Sequence, residues 1–200
     1  MKVHSMVSIL AAFTTCCATV VAEPDDAQRA PEAAVALGRL LAPLATPSTA
    51  RDLVGSEPWP GAQMRKNGGV VQVDFGPAAQ TRCGFRGRFS LTQQADASWL
   101  VSIDELSDKG LRYWGTAEVH PDATGMMLRL DLVVLEGARG AELIVSGRIR
   151  RVAGRWRLEA EGVWNNGMTE VPVRVAQALV VPAGARRAPN RAMLTDSSFL

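Results

Sequence analysis

Residues 142–164 read ELIVSGRIRRVAGRWRLEAEGVW. Apolar and polar side chains alternate up to Ala153-Gly154, and they alternate again beyond it. A period of two sends successive side chains to opposite faces of a strand, and a two-residue link carrying Gly suits a tight hairpin. Closing the hairpin there sets Val152 opposite Arg155, which places Ile149 opposite Leu158, Val145 opposite Gly162 and Leu143 opposite Trp164 on one apolar face. The other face pairs Arg148 with Glu159 and Ser146 with Glu161. Arg150 falls opposite Arg157, an arrangement that needs an acid or anion beside it. A slip of one residue would turn the whole apolar set outward, so the pattern itself specifies the register.

Outward from this hairpin, a loop over 136–141 leads back to a strand that sets Leu128, Leu130, Leu132 and Val134 against Ile149, Gly147, Val145 and Leu143. Three consecutive strands then agree about which face is buried. Similar alternation predicts strands over 69–75, 82–92, 98–103, 111–120, 126–135, 142–152, 155–164 and 170–181. The connections are short, and parallel strands would need longer crossovers. The fold class is mainly β: an antiparallel β-meander of seven or eight strands forming a closed or half-open barrel, with one short N-terminal α-helix. Pro172 in the last strand is tolerated at an edge or bulge and favours incomplete closure.

Ahead of the strands, Ala33, Leu37, Leu40, Leu41 and Leu44 recur at helical spacing from Pro31 onward, and Pro43 and Pro47 limit the helix to about three turns. Residues 46–61, with Pro47, Pro58 and Pro60, read as a loop anchored by Trp59.

The chain begins with Lys2, an apolar run over 6–15 too short to span a bilayer, and Val20-Val21-Ala22 before Glu23-Pro24-Asp25-Asp26. These are the parts of an export signal cleaved after Ala22. The residues before Cys16 and Cys17 fit a lipidation site poorly. The expected organisation is a signal peptide over 1–22, a helix and loop over 23–63 packed on the main domain, an antiparallel β domain over 64–182 and a basic disordered tail over 183–200. The exported chain is expected in the periplasm or outside the cell, and no apolar segment of it approaches the length of a transmembrane helix.

Cleavage also removes Cys16, Cys17 and His4, leaving Cys83 and His120. An internal disulfide is then impossible, and a structural zinc site lacks ligands. A Cys83–His120 dyad is the most economical enzyme hypothesis, but strand parity turns Cys83 toward the apolar side chains with Phe85, Phe89 and Leu91, where a thiol acts as a small hydrophobe. Asp104, Glu105 and Asp108 read as solvated acids in a polar turn, and Asn165-Asn166-Gly167 reads as a tight hairpin turn. No phosphate-cradling loop, nucleophile elbow or metalloprotease motif is present. A net charge of +2 over 200 residues argues against nucleic acid as a partner. Arg129, Arg148, Arg150 and Arg157 are interleaved with Asp131, Glu159 and Glu161, as on a solvated sheet face. No catalytic residue, metal ligand or cofactor is assigned.

Two features remain. Gly115, Ala117, Gly147, Ala160 and Gly162 are small on the apolar face, which implies either tight sheet curvature and close helix packing or a cavity for a hydrophobic small molecule. Val133, Ile144 and Val163 form an apolar stripe on the polar face. The 37–44 helix is expected to pack there; the other reading is a patch for an envelope protein. The chain thus reads as an exported non-enzymatic binding or carrier module for a hydrophobic or lipid-like ligand. The alternatives are an envelope assembly or accessory protein using the stripe or a sheet edge, and a small outer-membrane β-barrel whose apolar face meets lipid.

Overall fold

The computed structural model describes residues 24–46 and 49–181. Nine antiparallel strands form one sheet: β1 (Gln63–Asn67), β2 (Val70–Phe75), β3 (Arg86–Gln93), β4 (Trp99–Asp108), β5 (Leu111–Asp122), β6 (Gly125–Glu136), β7 (Arg139–Val152), β8 (Arg155–Asn165) and β9 (Glu170–Leu179). They are hydrogen-bonded in chain order, so the meander is confirmed. The sheet does not close into a barrel: β1 and β9 are its edges, with Pro172 in the edge strand β9. Three helices accompany it, α1 (Pro24–Leu41), α2 (Ala50–Ser56) and α3 (Pro77–Cys83), and a 3-10 turn, Ala42–Ala45, continues α1. The proposed export signal, the tail over 183–200 and the 182 boundary lie outside the described residues.

The β7–β8 ladder has the register set by Ala153-Gly154, from Val152 opposite Arg155 to Leu143 opposite Trp164. The β6–β7 ladder differs by two residues from the sequence reading. Glu136 pairs Arg139 around a turn at Gly137-Ala138, so Leu128 faces Gly147 and Leu132 faces Leu143. A shift of two keeps every side chain on its expected face, because the pleat repeats every two residues. Three segments are corrected, the first being the expected loop over 46–61, in which Ala50–Ser56 form α2 behind the capping residue Thr49. The expected strand over 82–92 begins only at Arg86, because residues 77–83 form α3, whose C-cap Gly84 adopts φ +85°. The polar segment Gln63-Met64-Arg65-Lys66-Asn67 is a strand, mostly exposed at the sheet edge.

The helical segment lies on the apolar face of the sheet, not on the Val133, Ile144 and Val163 stripe where it was expected. Helix α1 packs on β9, β8 and β7, the 3-10 turn on β5 to β7, and α2 on β1 and β2. An open sheet has no opposite wall of its own, so its apolar face must be covered by another layer. Leu37, Leu40 and Leu41 are fully buried there, each stabilising by about 1.5–3 kcal/mol. Together they outweigh the loss of about 3 kcal/mol that Pro31 inside α1 imposes, and α1 therefore begins at Pro24 instead of Pro31. Gly38 brings the helix close: a Cβ there would lie 3.0 Å from Leu158 Cδ2. Trp59 anchors the following loop. Its indole donates to Leu40 O at 2.8 Å, satisfying a carbonyl at the end of α1, and its ring meets Phe89 edge-on at 5.2 Å.

Candidate functional site at the helix–sheet seam

The seam takes its chemistry from a bulge. The β3–β4 and β4–β5 registers shift around Asp104 and Glu105, leaving both carboxylates exposed. Ahead of the bulge the odd-numbered residues Trp99, Val101 and Ile103 point inward; after it the even-numbered Leu106 and Asp108 do. Asp108, expected as a solvated turn acid, is therefore only 6% exposed.

Its partner comes from α1. Arg39 Nη2 donates to Asp108 Oδ2 at 2.9 Å, and the guanidinium lies 5.0 Å over the Phe85 ring. Gly84 makes room for this pair: a Cβ there would stand 3.3 Å from Asp108 Oδ1 and 3.5 Å from Arg39 Nη2. Burial pushes the Asp108 carboxyl above the ordinary carboxylate range, opposed by the Arg39 charge. Nearby Tyr113 is fully buried, its phenol held strongly toward the neutral form, first by burial and then by the Asp108 charge. Neither the Tyr113 hydroxyl nor Arg39 Nε has a hydrogen-bond partner among the described residues.

Three hairpin turns at one end of the meander are tied to α1. Arg39 holds Asp108 at the β4–β5 turn, Arg29 pairs with Glu136 at the β6–β7 turn, and Asn166 at the β8–β9 turn donates from Nδ2 to Asp26 Oδ2 at 2.8 Å. Asn166 also shapes its own turn, its Oδ1 accepting from the Met168 and Thr169 amides. Between these ties lie two adjoining clefts. The larger, about 520 Å³, has Glu32, Val35, Arg39, Asp108, Leu111 and Tyr113 in its wall. The smaller, about 170 Å³, has Val134, Ala141, Trp164 and Met168 in its wall. Arg29, Leu111 and Glu136 border both. Trp164 is buried, and its indole nitrogen also lacks a partner among the described residues.

The five small residues of the apolar face lie elsewhere. None of Gly115, Ala117, Gly147, Ala160 and Gly162 borders either cleft. Added Cβ atoms at Gly147 and Gly162 would lie 2.5 Å from Ala160 Cβ and 2.0 Å from Ile144 O, so small size there serves close strand approach. Gly115 has φ +129°, and a Cβ there would lie 2.3 Å from Asp131 O. Gly147 and Ala160 do border an open depression of about 680 Å³, together with Met127, Arg148, Glu159 and Arg174.

The stripe residues stay uncovered among the described residues. Val133 is 47% and Ile144 40% exposed, and Val163 is half-buried. With the corrected register Ile144 faces Asp131 and Val163, while Val133 faces Glu142 and sits diagonal to Ile144. On the same face, Glu159 Oε1 lies between the opposed Arg150 and Arg157, at 2.8 Å and 3.2 Å, which resolves the like-charge contact. Arg148 turns instead to Asp122 at 2.6 Å and holds that carboxyl well below the usual range.

Cys83 and His120 are not brought together. Cys83 ends α3, buried, its thiol donating to Pro60 O at 3.3 Å and pushed up in pKa by burial. His120 is exposed, 3.8 Å from Asp96. Among the described residues no group of three or more His, Cys, Asp or Glu is placed to hold a metal ion, and no helix is long and apolar enough to cross a membrane.

Sequence reasoning missed Arg39, Asp108 and Tyr113 as a group. The available signal was the chain's single tyrosine, at a position whose neighbours alternate as in a buried strand. In comparisons with known proteins, no family model, curated protein or solved structure matches the chain.

Proposed function

We propose that the protein is an exported, non-enzymatic binding or carrier module for an apolar, lipid-like ligand, held at the seam between α1 and the sheet. The observation that carries this reading is the pair of adjoining clefts, about 520 and 170 Å³, in which Val35, Leu111, Val134 and Trp164 stand beside the charged and polar side chains that line most of the larger cleft. An apolar wall with polar groups converging beside it is what small-molecule sites use, and the smaller cleft supplies most of that apolar wall through Val134, Ala141 and Trp164. The centre of the apolar face is filled by α1 and the 3-10 turn, which favours a ligand at the margin over one under the whole sheet. Mass spectrometry of organic extracts from natively purified protein tests the reading. Acyl-chain species absent from extracts of the delipidated protein are expected. A protein that arrives empty and takes up no apolar probe overturns it. Intact-mass measurement of the exported fraction checks the export half, with a chain starting at Glu23 expected.

A second reading, an envelope accessory protein, is favoured by the exposure of Val133 and Ile144. Its test is loss of a co-purifying envelope protein on Ile144→Glu. The outer-membrane barrel gains nothing from the open sheet or from helices on its apolar face.

A further inference from the structure

We infer that the seam clefts hold their ligand by an uncharged acceptor oxygen, of the ester or amide carbonyl kind, with Tyr113 Oη, Arg39 Nε and Trp164 Nε1 as the donors that receive it. This rests on the carrier reading and names the ligand chemistry which that reading leaves open.

Buried polar groups in folded proteins are nearly always paired. Here three unpaired groups belong to residues in the walls of two adjoining clefts: Arg39 and Tyr113 in the larger, Trp164 in the smaller. Guanidinium and indole N–H groups can only donate, and a buried neutral phenol has a proton to give. The missing complement is therefore an acceptor.

Charge decides which acceptor. Asp25, Glu32, Asp108 and Glu136 in the larger cleft face Arg29, Arg39 and Lys109. Arg29 is already engaged by Asp25 and Glu136, and Arg39 Nη2 by Asp108. An anionic head group gains no net attraction from four acids against three bases. An ammonium group would find no acceptor at Arg39 Nε or Trp164 Nε1 and would leave both unpaired. A neutral carbonyl satisfies the donors without disturbing the ion pairs, and an attached acyl chain finds Val35, Leu111, Val134 and Ala141.

Displacement of the apolar fluorophore N-phenylnaphthylamine by four ten-carbon probes tests this: methyl decanoate, N-methyldecanamide, decanoate and decylamine. The ester and the amide stand for the two carbonyl sources, an acylglycerol and an N-acylated chain, and their relative affinity separates them. The neutral carbonyl probes are expected to bind at least tenfold more tightly than decanoate and decylamine. Tyr113→Phe and Trp164→Phe are each expected to weaken the carbonyl probes about threefold to tenfold more than they weaken the fluorophore, as for loss of one hydrogen bond. Circular dichroism monitors folding, and if Tyr113→Phe does not fold, Trp164→Phe decides. Equal binding of all four probes, preference for a charged one, or indifference to both substitutions overturns the donor assignment and leaves the carrier reading standing. Failure to bind any probe, the fluorophore included, overturns both.

Discussion

Arg39 and Asp108 stand 69 residues apart in sequence and share a 2.9 Å hydrogen bond that joins the first helix to the β4–β5 hairpin. Because Asp108 is 6% exposed, removing the arginine strands a buried carboxylate. Arg39→Ala is expected to lower stability at pH 7 by about 3 kcal/mol in urea unfolding. The sign of the pH response follows from the raised Asp108 pKa: the folded state holds this proton more tightly than the unfolded chain does. Stability tied to Asp108 is therefore fully present below its unfolded value of 3.8 and is lost as pH rises through the folded value. In Arg39→Ala that folded value rises further, so the variant should regain stability on acidification toward pH 5. Adding Asp108→Asn should rescue it at pH 7. A loss under about 1 kcal/mol with no pH recovery would mean the pair is solvated.

Tyr113 is the only tyrosine in the chain, so ultraviolet titration reports it alone. Burial and the Asp108 charge raise its pKa above the ordinary value of 10.0. Its contribution to stability is present below pH 10 and is lost as pH rises above it, because only the unfolded chain ionises readily. Tyrosinate absorbance near 295 nm is expected to be absent from the native protein at pH 10.5 and to appear only together with unfolding. Tyr113→Phe should move alkaline unfolding to higher pH.

Gly115 combines φ +129° with a neighbouring-strand oxygen 2.3 Å from where a Cβ would sit. Gly115→Ala therefore carries both backbone strain and a clash with atoms that cannot move aside. A loss of roughly 3 kcal/mol or more is expected. Gly69→Ala, in the β1–β2 turn with open space around it, should change stability by under about 0.5 kcal/mol. Thermal unfolding of the two variants side by side checks the contrast.

Ile144 is 40% exposed on the face opposite the helices. Ile144→Glu is expected to fold normally, with its melting temperature within a few degrees of the parent. A large loss would show that something covers the stripe in the folded protein.

The sheet was legible where two faces differ in polarity. From Leu143 to Trp164 each inward side chain has an apolar partner, and the tight Ala153-Gly154 turn left no freedom in pairing. The β6–β7 ladder was ambiguous by two residues, because a shift of two costs no change of face. Strand β1 was invisible because its residues are mostly exposed and carry no alternation. The site was hidden for a different reason. The bulge at Asp104 and Glu105 interrupts the alternation along β4, so the strand read from sequence stops at 103 and Asp108 beyond it reads as a solvated turn acid. Its partner lies on a helix whose placement depends on the sheet being open, a property that no local pattern carries.

The order of elements along the chain also bears on how the protein reaches this state. Helix α1 comes first, yet it packs chiefly on β9 and β8, the last strands, and Asp26 meets Asn166 across 140 residues. A chain emerging from its N-terminus therefore carries an apolar helix that has no surface to cover until nearly all of the sheet exists. Contacts of such long sequence separation close slowly, and the waiting apolar surface is exposed to aggregation. Folding should be cooperative and late, with α1 and β9 gaining protection from hydrogen exchange together.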